Sequence, residues 1–229
     1  MRYAAAGARI VLSTATLGER GKCGDPPICS ADDLPRVRER ELREAARIIG
    51  FHELHLLGYR DRELADAPFE EVRSKLVTLI RRVRPSVVFT FDPNGFNRHP
   101  DHVAISRFTS DAIAVAGDPR WLPDAGPAHV VSRLLWIPPL PPWEAIQHDA
   151  RDLAGADFMI DVSAYHDQRV AALRAHRTQH LSIDRHFFSR TDLTQVLATE
   201  FWRQGFGPAI SSRPGADVLD SLRENSDGA

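Results

Sequence analysis

The chain has 229 residues, 43% apolar and 26% charged, with 29 basic against 31 acidic side chains and a formal net charge of −2. That is the balance of an ordinary globular protein of about one domain, and no field of either sign calls for a nucleic acid or an anionic membrane as partner. No apolar run reaches the roughly 18 residues of a membrane span and the first residues lack the apolar core of a signal peptide, so a cytoplasmic protein is expected. The only two cysteines, Cys23 and Cys29, are too few for a disulfide scaffold or a four-cysteine zinc site and read as free thiols in a surface loop.

Residues 1–6 look like the last turn of a helix stopped by Gly7. So short a helix cannot stand alone in water, and a doubly wound domain places a strand ahead of it, so the sequence is expected to begin inside its first βα unit. Residues 8–16 are short, β-branched and apolar, the pattern of a strand buried on both faces. A loop rich in Gly, Pro and Asp runs to Asp33, which can cap a helix starting near Pro35 and ending at Gly50. A short strand over 52–57 precedes a second amphipathic helix, opened by Pro68 and stopped by Pro85. The strongest strand signal covers 86–91 and leads to a helix from about Pro100 to Ala116. Further strands are expected near 129–137 and 158–162, with helices over 164–180 and 192–204 and a poorly ordered tail over 211–229. The alternation predicts a Rossmann-like α/β domain over residues 1–210, a mostly parallel sheet with helices on both faces and its first βα unit truncated.

The chemistry gathers after the strongest strand. Residues 91–102, Phe-Asp-Pro-Asn-Gly-Phe-Asn-Arg-His-Pro-Asp-His, join a strand's carboxyl end to a helix start, where open α/β sheets place their ligands. With Pro100 first in the helix, His99 caps it and His102 follows three positions later on the same face. Asp101 between them lies in the first turn and can orient an imidazole. Histidine serves equally as acid, base or metal ligand, and a solvated capping turn is the plain alternative. Zinc takes about three protein ligands, and this segment offers one or two.

His99-Pro100-Asp101-His102 after Phe89-Thr90-Phe91-Asp92-Pro93-Asn94-Gly95 resembles the second signature of the LmbE-like, or N-acetylglucosaminyl-phosphatidylinositol de-N-acetylase, family of zinc-dependent N-deacetylases. Ala4 to Gly21 resembles that family's second strand and following loop, and Arg38 with Glu41-Leu42, Ile49-Gly50 and Leu57-Gly58-Tyr59-Arg60-Asp61 its next helix and strand. Ala171-Ala172-Leu173-Arg174-Ala175-His176-Arg177-Thr178-Gln179 resembles a carboxyl-terminal helix of actinobacterial members acting on mycothiol precursors or conjugates. The resemblance implies hydrolysis of the acetyl group from an N-acetyl amino sugar or related amide. His102 would be a zinc ligand, with Fe²⁺ an alternative metal. His99 would be the acid that steadies the oxyanion and protonates the leaving amine, and Asp101 would orient a histidine and hold it charged. Glu19, Arg38 and Asp61 would contact sugar or inositol hydroxyls; read alone, they are a solvated helix residue and two polar loop residues. His176 and Gln179 either reach the site or tie down their helix.

The family's first signature, His-Pro-Asp-Asp, with two ligands and the general base, does not occur in this sequence. Poor zinc binding by the chain, and an upstream extension that carries the motif, are therefore expected. A non-catalytic homologue serving as a sugar-binding or subunit module is the second reading. A nucleotide-binding reading lacks a glycine-rich fingerprint opening a helix. The expected partner is a small molecule, with no nucleic acid or membrane, and a homo-oligomer is compatible with the sequence.

Overall fold

The structure, a computed structural model, describes residues 1–139, 141–147 and 155–222. A single helical turn, α1 (Arg2–Ala5), stops at Gly7 with φ +86°, where the Ala8 amide donates to the Tyr3 carbonyl at 2.9 Å. β1 (Val11–Thr14) is followed by α2 (Leu34–Ile49), which has Pro35 in its first turn and Gly50 in the left-handed conformation beyond its end. β2 (Glu53–Leu56) and α3 (Phe69–Val83) come next. Pro85 bars the right-handed conformation to the residue before it, and Arg84 ends α3 at φ +55°. β3 (Val87–Phe91) leads through the one-turn α4 (Gly95–Arg98) into α5 (Pro100–Ala116). Then follow β4 (Arg133–Ile137), α6 (Pro142–Ala145), β5 (Phe158–Asp161), α7 (His166–Ala175), α8 (His180–Ile183), α9 (Leu193–Val196) and β6 (Thr199–Phe206). The order of strands and helices is that of a Rossmann-like α/β fold.

Two compact units are present. The first comprises Met1–Leu64 with Asp161–Thr199. In it β1 and β2 pair in parallel, from Val11 opposite Glu53 to Thr14 opposite Leu56. Every residue of both strands is half-buried, whereas the sequence predicts β1 to be covered on both faces. Membership of a two-stranded sheet explains the difference, since among the described residues β2 is the one strand paired with it. α2 buries Leu34, Ala45 and Ala46 and packs against α7. It also buries the carboxylate of Glu41, a costly act unless its oxygens are hydrogen-bonded. Thr178 supplies both bonds, its amide donating at 2.8 Å and its hydroxyl at 2.6 Å. That contact accounts for a correction: the helix expected over 164–180 stops at Ala175, and His176 at φ −83°, ψ 62° turns the chain into a 3₁₀ turn that presents Thr178 to Glu41.

The second unit comprises Ala65–Ile160 with the chain from Glu200 onward. Its four-stranded sheet has the order β3-β4-β6-β5, with β3 and β4 parallel and β6 antiparallel to β4. α3 and α5 pack together through a core that includes Val72, Val77, Ile80, Phe108 and Ala112. Where a helix is expected over 192–204, only α9 is helical and 199–206 form β6. The Thr-Glu-Phe-Trp-Arg-Gln-Gly-Phe run of β6 is aromatic and alternating, and pairing with β4 overrides its weak helical periodicity. Residues 211–222 also differ from the expected loose tail. Gly215 bridges to Phe158, and Val218 is buried with its carbonyl accepting from the Arg133 guanidinium.

One buried cation in this unit has only carbonyls as hydrogen-bond acceptors among the described residues. Arg81 of α3 is 3% exposed, and its guanidinium donates to the carbonyls of Val115, Ala116, Asp118, Trp121, Leu122 and Gly126 at 2.6 to 3.2 Å. Charge-assisted bonds to fixed dipoles offset its desolvation and hold the turn beyond α5.

Candidate active site

The second unit holds the histidines, at the carboxyl end of β3. The turn after β3 is built on Asp92, which is fully buried and accepts from the Asn94 amide and side chain at 3.2 Å each and from the Phe96 amide at 2.6 Å. Such side-chain bonds to amides two and four residues on are what an aspartate offers a tight turn. They hold Phe96 at φ +60° and Arg98 at φ +62°, a left-handed backbone that costs a non-glycine residue free energy. Gly95, at φ +70°, lies so near α5 that a Cβ there would stand 2.7 Å from the Val103 nitrogen and 2.9 Å from the His102 Cβ. The Ser106 hydroxyl donates to the Phe91 carbonyl at 2.8 Å and ties α5 to the strand end.

Pro100 keeps His99 extended, as an N-cap requires, at φ −63°, ψ 132°. Its Nδ1 accepts from the Asp101 amide at 3.2 Å, so the ring proton of neutral His99 resides on Nε2. His102 has the opposite arrangement. Its Nδ1 faces the Gly95 carbonyl at 3.2 Å, and because a carbonyl only accepts, that nitrogen carries the proton and the lone pair falls on Nε2. The His102 ring stacks on Phe91 at 3.9 Å and 8°, and the two imidazole centroids are 5.0 Å apart. Two neighbouring histidines are thus held in complementary tautomers, one with a donor at Nε2 and one with an acceptor there. Asp101 does reach His99, but by its main-chain amide, while its carboxylate is buried.

The other expected residues lie in the first unit, around the loop after β1. Glu19 Oε1 accepts from the Asp61 amide at 2.8 Å, and Asp61 Oδ2 accepts from the Arg20 amide at 3.1 Å. Arg38 lies flat under the same loop, donating to the Gly18 carbonyl and, at 3.3 Å, to that of Lys22. Gly18 takes φ +68°, a backbone that favours glycine, whereas a Cβ on Gly21 would displace only the far end of Arg38. Two polar atoms are left over: Glu19 Oε2 and Arg38 Nε are buried without a hydrogen bond. Near them His176 is half-buried. Burial lowers its pKa, Arg38 lowers it further, and Glu41 opposes both.

Sequence reasoning missed Asp92 and Gly95, which set the histidine loop, and the Glu41–Thr178 pair. The signal for the first two was the Asp-Pro-Asn-Gly tetrapeptide, a turn signature directly after a strand.

Among the described residues no three His, Cys, Asp or Glu side chains gather as a metal site, short of the roughly three ligands of catalytic zinc. The residues described do not make a zinc site.

An α/β fold with paired imidazoles beyond a parallel strand places the chain among proteins that bind small molecules at the carboxyl ends of their strands. Residues 1–113 match the sequence profile of the PIG-L family, GlcNAc-PI de-N-acetylase. The 1D-myo-inositol 2-acetamido-2-deoxy-alpha-D-glucopyranoside deacetylase of Geodermatophilus obscurus is 32% identical, with 88% of this chain and 84% of that protein covered. Its counterpart in Streptomyces griseus is 33% identical, over 86% of this chain and 74% of that one. The chain belongs to the PIG-L family. Among solved structures, the conserved protein TT1542 of Thermus thermophilus aligns with a TM-score of 0.66 and 30% identity, over 93% of this chain and 89% of that one. The N,N'-diacetylchitobiose deacetylase of Pyrococcus horikoshii, 20% identical, shares the fold with a TM-score of 0.67 over 89% and 75% of the two chains.

Proposed function

We propose that this protein is a hydrolase that removes the acetyl group from an N-acetyl amino sugar, splitting the acetamide C–N bond with water to give acetate and a free amine. The observation that carries the reading is the complementary tautomer pair. An amide hydrolase needs a donor for the oxygen that becomes anionic and a proton for the leaving nitrogen. His99 Nε2–H, oriented by the Asp101 amide on Nδ1, is a donor for the oxyanion, and the ring protonates the amine only as imidazolium, once Nδ1 takes up a proton in place of the bond to that amide. His102 presents the lone pair at Nε2 that a metal ligand requires, with the second-site bond to Gly95 that usually orients one. His102 is the residue we assign to zinc, and the other described side chains do not complete its site.

Glu19, Arg38 and Asp61 form the proposed sugar subsite. Most of their bonds shape the loop over 18–22, and Glu19 Oε2 and Arg38 Nε remain as acceptor and donor for hydroxyls. Kinship with deacetylases of a glucosaminyl inositol supports that substrate class. The test is release of primary amine from 1D-myo-inositol 2-acetamido-2-deoxy-alpha-D-glucopyranoside by the purified chain supplied with zinc. Amine release that disappears in His99→Ala supports the reading. Saturable binding of that compound with no amine released overturns it in favour of a sugar-binding module.

A further inference from the structure

The loop between β1 and α2 carries both cysteines, and the proposed reaction uses neither. The loop folds back on Cys23 from two sides: the Ile28 amide donates to the Cys23 carbonyl at 2.9 Å, and the Cys23 thiol lies 3.8 Å from the Ser30 carbonyl. Cys29 stands between the two residues that make those contacts, so the loop closure brings its backbone back beside Cys23. The far end of the loop is fixed to the start of α2, where Ser30 donates to the Asp33 carboxylate at 2.9 Å and accepts from the Asp33 amide at 3.1 Å. Gly24, at φ +92°, makes the reversal and rests on His180, whose Nε2 is 3.2 Å from the Asp25 carbonyl. Both thiols are partly accessible and unoxidised, and no metal site forms around them among the described residues.

We propose that Cys23 and Cys29 are a reversible redox-modification site, closed into an intramolecular disulfide by a small disulfide of the glutathione class. The Cys23 thiolate attacks one sulfur of the small disulfide, whose S–S bond breaks and whose other half leaves as a thiol after taking up a proton. The Cys29 thiolate then attacks the Cys23 sulfur of the mixed disulfide and expels the second small thiol. Two protein thiols lose two electrons, and one small disulfide becomes two thiols. Burial first, then Cys23 and the carboxylates of Asp33 and Glu41, push the Cys29 thiol up, which suits it to the second, intramolecular step rather than the first. Lys22, next to Cys23, gives its carbonyl to Arg38, so the closed form stiffens the loop that also carries Glu19.

The experiment treats the full chain with oxidised glutathione and follows intact mass and alkylation by N-ethylmaleimide. The wild type is expected to lose the mass of two hydrogens, to lose both alkylation sites together and to regain both with dithiothreitol. Cys29→Ser is expected to trap one glutathione on Cys23, and hydrogen exchange across 18–30 to slow in the oxidised wild type. Two thiols that stay alkylatable throughout, or a wild-type chain that accumulates glutathione on either cysteine, overturns the proposal. This result is independent of whether the chain releases amine from any sugar.

Discussion

The loop after β3 and the loop after β1 are both polar, glycine-containing and seated at the end of a strand, yet they spend their polar atoms differently. Beyond β3 the holding is done by Asp92 and by main-chain groups, which orient both imidazoles through Nδ1. Beyond β1 the charged side chains hold the loop themselves, leaving one carboxylate oxygen and one guanidinium nitrogen over. The first arrangement suits bond breaking and the second suits recognition, because a reacting group must be oriented without being consumed.

His99→Ala tests that contrast most severely. It is expected to lower kcat by roughly 10² to 10⁴ with KM nearly unchanged, as loss of a positioned acid and oxyanion donor should. Asp101→Asn keeps the main-chain donor to His99, so a smaller loss, roughly tenfold, is expected in the same assay. Gly95→Ala forces a side chain into left-handed backbone and against His102. A loss of about 1 to 3 kcal/mol of stability is expected by denaturant unfolding, with kcat/KM falling at least as far as in Asp101→Asn. For the loop after β1, Arg38→Lys should raise KM roughly tenfold and spare kcat, since an ammonium cannot span the Gly18 and Lys22 carbonyls. Equal kcat losses in His99→Ala and Arg38→Lys would erase the distinction between the two loops.

The smallest effect concerns His176. Its folded pKa lies below the unfolded value, so the unfolded chain binds more protons at mildly acid pH. The stability it contributes is therefore complete above the ordinary histidine range near 6.5 and drains away as pH falls through the lower folded value. His176→Gln should flatten the acid side of a Tm-versus-pH curve without altering Tm at pH 8.

Local signals carried the fold furthest where one residue type decides the geometry. Gly50 ends α2, Pro85 ends α3 and Pro100 opens α5, each by its own backbone restriction. β6 was illegible because its strand character lies in pairing with β4, a partner far away in sequence. The end of α7 was hidden for the same reason, since it depends on Glu41 at a separation of 137 residues. At the site, the cap position of His99 and the shared face of His102 were readable from spacing. Their tautomers were not, because that of His102 depends on a carbonyl brought back by the Asp92 turn and that of His99 on the direction of the Asp101 amide. Nor could residue type reveal that Arg38 works mostly on its own loop.

The carbonyl cage around Arg81 has a consequence for how the molecule comes apart in acid. On the same turn, the Arg120 hydrogen bond holds the Asp118 carboxyl down to about 2, so that exposed fastening lets go as pH drops from the ordinary carboxylate range toward that value. Carbonyls do not titrate, and a guanidinium keeps its charge throughout, so the inner fastening is indifferent to acid and, being buried, little screened by salt. The segment over 115–126 should therefore keep its amide protection after acid has released its outer rim, making it a late-melting anchor for the second unit.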